Sequence, residues 1–285
     1  MNGATRYIFL GVFLLLAAAP LLGGLVYATL YGLGVVGILS DGFTWQYAQA
    51  VLNSKAFWGA IGFSLFVATI SMSLSVGLAL LITLRLFDRL QKGFFSYLIY
   101  WPLTLPAMVV AFFSFQFLSR AGFLSRLSYH LGFIQQLEDF PNWVNDPWGV
   151  AIIFSHTLMA TPFLTILFAN LYQNERLGEY TQLAATLGAR PGSIARRVSI
   201  PILLQKAFAT LVLYFVFVLG SYEIPLLLGS QSPQMVSVLT INKLQKFNLL
   251  DKPEAYVISL FYCLLVLSLL LGLARTGLLT NQEEA

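Results

Sequence analysis

Six runs of mostly apolar residues, at about Tyr7–Tyr31, Phe57–Leu84, Phe94–Leu118, Trp148–Tyr172, Gln205–Gly229 and Glu254–Ala274, leave this chain few ways to fold. Each is long enough to cross the roughly 30 Å hydrocarbon core of a bilayer, which takes about 20 helical residues at 1.5 Å each. A backbone inside lipid finds no water to bond, so such a run must satisfy its own amides by coiling into a helix. Charged residues make up only 10% of the 285, against roughly a quarter in a soluble domain, too few to coat a water-facing surface. Soluble and disordered classes are thereby excluded. The single cysteine, Cys263, excludes a disulfide framework or a cysteine zinc site, and no metal site is expected. The expected fold is an all-α integral membrane protein of six transmembrane helices, forming one domain over residues 1–285.

Cytoplasmic connectors are enriched in Lys and Arg. With the N-terminus inside, Arg6, Arg85, Arg89, Lys92, Arg176, Arg190, Arg196, Arg197, Lys206 and Arg275 face the cytoplasm; Lys55, Arg120, Arg126, Lys243, Lys246 and Lys252 face out. Both termini are then cytoplasmic. The net charge of +4 is scattered and builds no basic face, which points to lipid headgroups rather than nucleic acid. The first run has a second reading, because Arg6, a short apolar stretch and Ala17-Ala18-Ala19 resemble a cleavable secretory signal. Hydrophobicity continues past Pro20 through Tyr27, so we take it as a retained helix; cleavage would leave five spans.

Catalysis requires convergent groups, and the two histidines, His130 and His156, lie on different segments. Ser155 and His156 are adjacent, so on a helix they point about 100° apart and cannot act as a pair. No G-x-x-x-x-G-K-[ST] phosphate loop is present. The chain is therefore expected not to be an enzyme, and any ATP-driven work must come from a partner.

The connector at 173–204 is the longest on the inner side. In it Tyr180, Leu183, Ala184 and Leu187 fall at i, i+3, i+4 and i+7, one apolar stripe of a short helix. Gly188 supplies a left-handed stop and Pro191 follows. The stripe either packs on the chain's own helix ends and the headgroup layer, or docks a cytoplasmic subunit. From Gln182 the chain reads Gln-Leu-Ala-Ala-Thr-Leu-Gly, then nine residues, then Val198-Ser199-Ile200-Pro201. This resembles the EAA signature of binding-protein-dependent ABC importer permeases: Glu-Ala-Ala, three residues, Gly, nine residues, Ile, any residue, Leu-Pro. Ala184, Gly188 and Pro201 are identical, Val198 and Ile200 conservative; Gln182 and Leu183 depart from Glu and Ala.

The resemblance implies a type I importer permease fold with its core at 57–275, and a coupling helix seated in a cleft of an ATPase dimer. Tyr180, Gln182, Leu183, Ala184, Leu187, Gly188 and Pro201 are then the coupling residues. It also implies ATP and Mg on that partner and none on this chain, a second permease chain of different sequence, and an extracytoplasmic solute-binding protein at a bacterial inner membrane. Gln182 keeps hydrogen-bonding capacity but not the family's charge. Further landmarks are Pro102 and Pro106, Thr161-Pro162-Phe163 and the string Gly220–Gly229, which resembles the branch that includes polyamine, ferric-iron, thiamine and sulfate permeases, most of all the spermidine/putrescine type, so that polyamine is the solute class the resemblance favours.

Within the runs, Pro102, Pro106, Pro162 and Pro225 each free a backbone carbonyl, as kinks that shape a pathway or simply aid packing. Ser71, Ser75 and Ala79 recur every four residues and allow close helix approach, against which the second permease could lie. Glu223 is the one acid well inside an apolar run; counted along a continuous helix from Gln205 it falls about 27 Å on, near the outer face. It reads either as an interfacial residue or, with Tyr222, His156 and Thr161, as part of the solute pathway. His156 and Thr161 read equally as interhelical hydrogen-bonding groups. The rival function is a secondary carrier or channel driven by an ion gradient, which would need further intramembrane acids or bases.

Overall fold

The computed structural model describes residues 3–37, 40, 42–90 and 93–275; Asp41 and Lys92 lie outside them. All regular structure among these residues is helical: α1 (Gly3–Gly32), α2 (Gln46–Leu52), α3 (Lys55–Leu90), α4 (Phe94–Tyr100), α5 (Ala107–Leu118), α6 (Phe123–His130), α7 (Val150–Asn174), α8 (Leu177–Thr186), α9 (Pro191–Ile194), α10 (Ile200–Leu219), α11 (Glu223–Leu228), α12 (Val236–Gln245) and α13 (Asp251–Arg275). Among the described residues six helical runs are long and apolar enough to cross a membrane: Gly11–Gly32, Lys55–Phe87, Ala107–His130, Val150–Asn174, Pro191–Leu219 and Asp251–Arg275.

Two runs differ from the sequence expectation, each because of proline. Phe94–Leu118 is not one helix: α4 passes into a 3₁₀ turn at Trp101–Thr104, then Leu105 goes extended at φ −85°, ψ 126° and α5 starts after Pro106. The Pro106 ring disfavours the α conformation at the residue before it. The long apolar run in this region is Ala107–His130 instead. Gln205–Gly229 is likewise broken. Its helical run begins earlier, at Pro191, passes through a π turn at Ala195–Ser199 that accommodates Pro201, and stops at Leu219. Gly220-Ser221-Tyr222 then separates α10 from α11. Continuing the helix would set the Pro225 ring against the Ser221 carbonyl. Glu223 therefore opens a separate short helix, and depth counted along α10 does not apply to it. Pro162, by contrast, lies inside an unbroken α7.

The chain divides into two compact units. One comprises residues 1–60 and 236–268. In it Tyr27, Tyr31 and Tyr256 gather, with ring centroids 4.6–5.8 Å apart, and Lys243 pairs with Asp251 and Glu254. The other, residues 61–235 and 269–285, holds every residue singled out above for coupling or transport. One of its cores contains Val67, Ala111, Ile152, Ile224 and Leu228; another contains Ala79, Ala160, Leu164, Phe168, Leu203 and Ala207. Ser71, Ser75 and Ala79 are all buried within the chain. Their small size serves internal packing, so they do not form a free face for a second chain.

α7 and α10 run antiparallel. Three cross-contacts fix the register: Glu175 with Lys206 at 3.3 Å, Phe163 stacked on Tyr214 at 5.4 Å between centroids, and His156 Nε2 at 2.9 Å from Ser221 Oγ. The start of α7 is held tightly. Gly149 takes φ +67°, and a Cβ there would meet Phe63 at 3.0 Å and Val67 at 3.2 Å. The buried Asp146 carboxylate accepts the Trp148 and Val150 amides at 3.0 and 2.9 Å, satisfying donors that the helix itself cannot. Asp146→Ala is expected to cost about 1 kcal/mol, read as a lowered Tm in detergent, whereas Asp146→Asn should retain much of the capping.

Candidate functional site

Two regions of the second unit hold the functional candidates, one at each end of the α7–α10 pair. At the end bearing Asn174 and Pro191, α8 follows α7 after a two-residue turn in which Arg176 adopts φ +48°. Leu177 is fully buried in the core with Phe168 and Leu203, which ties α8 to the end of the pair. Sequence reasoning missed Leu177; its place three residues before Tyr180 and seven before Ala184 was the available signal.

Once anchored, α8 presents its stripe outward. Tyr180, Leu183 and Leu187 are 53%, 61% and 81% exposed. Gln182 is exposed too, and Ala184 is half-buried. The stop is a complete Schellman motif: Gly188, at φ +82°, donates its amide to Ala185 O at 2.9 Å, and Ala189 donates to Ala184 O at 3.0 Å. Pro201 lies on the exposed side just past the π turn, and Arg196 and Arg197 are exposed on the turn itself. The chain thus covers the anchor but not the stripe. Three large apolar side chains stand free on a helix whose two ends are fixed.

At the opposite end lies a cleft of about 470 Å³ lined by His156, Met159, Phe217, Ser221, Tyr222 and Glu223, among others. The break between α10 and α11 creates it. It brings Tyr222 and Glu223 into one lining with His156, which sits six residues into α7, about 9 Å from its start. His156 is buried and its Nε2 bonds Ser221; its Nδ1 has no partner among the described residues. Glu223 is exposed, and no Lys or Arg is among the described residues lining the cleft. Thr161 does not join them: its hydroxyl donates to the Thr157 carbonyl at 2.7 Å within α7. Ser155 points elsewhere, with Oγ 2.8 Å from Ser114 Oγ, so the adjacent serine and histidine serve different neighbours. Among the described residues no group of three or more His, Cys, Asp or Glu is placed to hold a metal ion.

Residues 75–281 match a family described as "binding-protein-dependent transport system inner membrane component". The thiamine transport system permease protein ThiP of Escherichia coli is 30% identical over 192 residues, 66% of this chain and 34% of that protein. This chain thus matches about a third of the length of that relative. The molybdenum transport system permease protein ModB of Mycobacterium tuberculosis is 26% identical over 267 residues, 92% of this chain and 94% of ModB. The fold is similar to that of a bacterial ABC transporter involved in import of the acidic polysaccharide alginate, with a TM-score of 0.75 at 17% identity, covering 96% of this chain and 93% of that one.

Gly188→Val places a β-branched residue in the left-handed region, where even an ordinary side chain costs roughly 1–2 kcal/mol. Because a Cβ at Gly188 meets nothing within 4 Å, the effect should be confined to the backbone. Tryptic cleavage at Arg196, exposed just beyond the stop, is expected to accelerate in Gly188→Val, with Gly188→Asn intermediate because asparagine tolerates that conformation. Equal cleavage of all three chains would mean that the stop is not under conformational control.

Proposed function

The chain belongs to the family of binding-protein-dependent transport system inner membrane components, and from that premise we propose that it is one membrane-embedded half of an ATP-driven importer of a small cationic solute. It is a multi-pass inner-membrane transport subunit, not an enzyme. The observation that carries the coupling role is the uncovered stripe of Tyr180, Leu183 and Leu187 on a helix anchored by Leu177 and stopped by Gly188. Apolar side chains held rigidly in water gain by being covered, and a rigid helix transmits force better than a loop. α8 faces the cytoplasm and seats in an ATPase dimer, which holds ATP and Mg; this chain binds neither. ATPase closure moves α8, and the α7–α10 pair carries that movement to the opposite end.

The cleft at that end receives solute from an extracytoplasmic binding protein, and a second permease chain completes the path. Its lining shares the exposed acidic residue Glu223 with Tyr222, Ser221 and His156, and no cationic side chain is among the described lining residues. That chemistry suits a cationic amine, of which polyamines are the class we favour, and suits an oxyanion poorly.

Leu183→Glu with Leu187→Glu should leave the chain in the membrane but abolish co-purification of the ATPase in mild detergent; retained ATPase would refute the docking role. Glu223→Gln should raise the half-saturating concentration for uptake of a cationic amine by about fivefold, the factor given by ~1 kcal/mol of one screened charge pair. Unchanged saturation across a concentration series would remove Glu223 from the solute path.

A further inference from the structure

Six residues of α7 recur at alternating intervals of three and four: His156, Met159, Phe163, Ile166, Asn170 and Gln173. Spacing of this kind places them on one face of the helix. The structure divides this single face into three. His156 and Met159 line the cleft that holds Glu223. Ile166, Asn170 and Gln173 line a second cleft, of about 380 Å³, together with Thr165 and Tyr100. Phe163 alone lines neither. It stacks on Tyr214 of α10, with centroids 5.4 Å apart and planes 20° from parallel; Tyr214 in turn meets Phe217 at 5.6 Å, and Phe217 belongs to the lining of the first cleft.

We propose that solute moves along this face of α7 and that the Phe163–Tyr214 stack is the barrier between two stations, the Glu223 cleft and the Asn170–Gln173 cleft. This rests on the transport reading above. Phe163 lies thirteen residues into the 25-residue α7, about 20 Å along it and close to its middle, where a seal must lie to keep both ends from opening at once. The two stations differ in chemistry. The first offers a carboxylate. The second offers Asn170, Gln173 and Tyr100, and no charged side chain is among its described lining residues. A cationic amine is thus drawn in by charge and handed to neutral hydrogen-bonding groups that hold it weakly enough to let go. Asn170, Gln173 and Tyr100 are exposed, as a station that releases solute requires. An apolar aromatic pair separates them without offering the solute any polar group of its own beyond the Tyr214 hydroxyl, so passage requires the rings to part. Such parting follows if α7 and α10 shift relative to one another when α8 moves.

The test reads access rather than transport. The native cysteine, Cys263, is exposed, so the background is Cys263→Ser in the intact complex, in right-side-out and inverted membrane vesicles. Glu223→Cys and Asn170→Cys are then labelled separately with a membrane-impermeant maleimide. Glu223→Cys is expected to label from one side only and Asn170→Cys from the other side only. Adding Phe163→Ala should raise labelling of Asn170→Cys from the Glu223 side by about tenfold or more, as an open state held at up to ~10% becomes the major one. Phe163→Tyr, which keeps the ring, should leave labelling one-sided. Where Phe163→Ala fails to fold, judged by loss of Glu223→Cys labelling, Tyr214→Leu removes the other half of the stack and is expected to act alike. Labelling of Asn170→Cys from both sides in the parent, or one-sided labelling that survives a folded Phe163→Ala, overturns the barrier. Correct sidedness with no uptake of a cationic amine would overturn the solute class instead and leave the barrier standing.

Discussion

The antiparallel seam between α7 and α10 is the interaction on which the functional regions depend. One end is closed by Glu175 and Lys206, the middle by Phe163 against Tyr214, and the far end by His156 against Ser221. An ion pair about one-third exposed contributes little stability. The seam is held chiefly by the apolar packing between its ends, through Ala160, Leu164, Phe168, Leu203 and Ala207. Small residues bring the two backbones close, and the larger ones fill the space beside them. The seam thus joins α8 at one end to the Glu223 cleft at the other through continuous packing.

Lipid imposes the second constraint, and its effect is visible in where the helices break. A freed carbonyl or amide inside hydrocarbon has no partner, so irregular backbone is tolerated only where protein or water meets it. The break at Gly220-Ser221-Tyr222 borders the cleft, and the break at Trp101–Pro106 lies between Tyr100, which lines the inner cleft, and Ala107, which lines the outer one. Proline thus borders both clefts, and does so by interrupting helices rather than by bending them. Pro162 is the exception: buried inside α7, it precedes the residue that forms the barrier.

Much of the candidate site was legible because its signals are local. The Gly188 stop follows from glycine's access to positive φ, and the observed φ of +82° with both Schellman hydrogen bonds agrees with it. The stripe of Tyr180, Leu183 and Leu187 follows from helical spacing, but spacing left open whether the chain's own helix ends cover it, and in the structure they do not; Ala184 is drawn half inward because Leu177 decides which way α8 rolls. Other features resisted a linear reading. Depth counted along a continuous helix placed Glu223 on the fifth span, whereas Pro225 had already ended that helix. Ser71, Ser75 and Ala79 read as a face open to a second chain, yet they are consumed by the chain's own core.

Sequence alone determined the solvent, the number of long apolar runs, the absence of catalytic and phosphate-binding groups, and the capped helix with its apolar stripe. These depend on composition and on spacing over a few residues, where helix geometry leaves one solution. Only tertiary structure decided that His156, Tyr222 and Glu223 share a cleft while Thr161 does not, and that Phe163, alone on its face of α7, finds an aromatic partner on α10. Those outcomes depend on the register between α7 and the α10–α11 region, where His156 meets Ser221 at a separation of 65 residues, set by how side chains of particular volumes interlock, and no periodicity within a single helix encodes it.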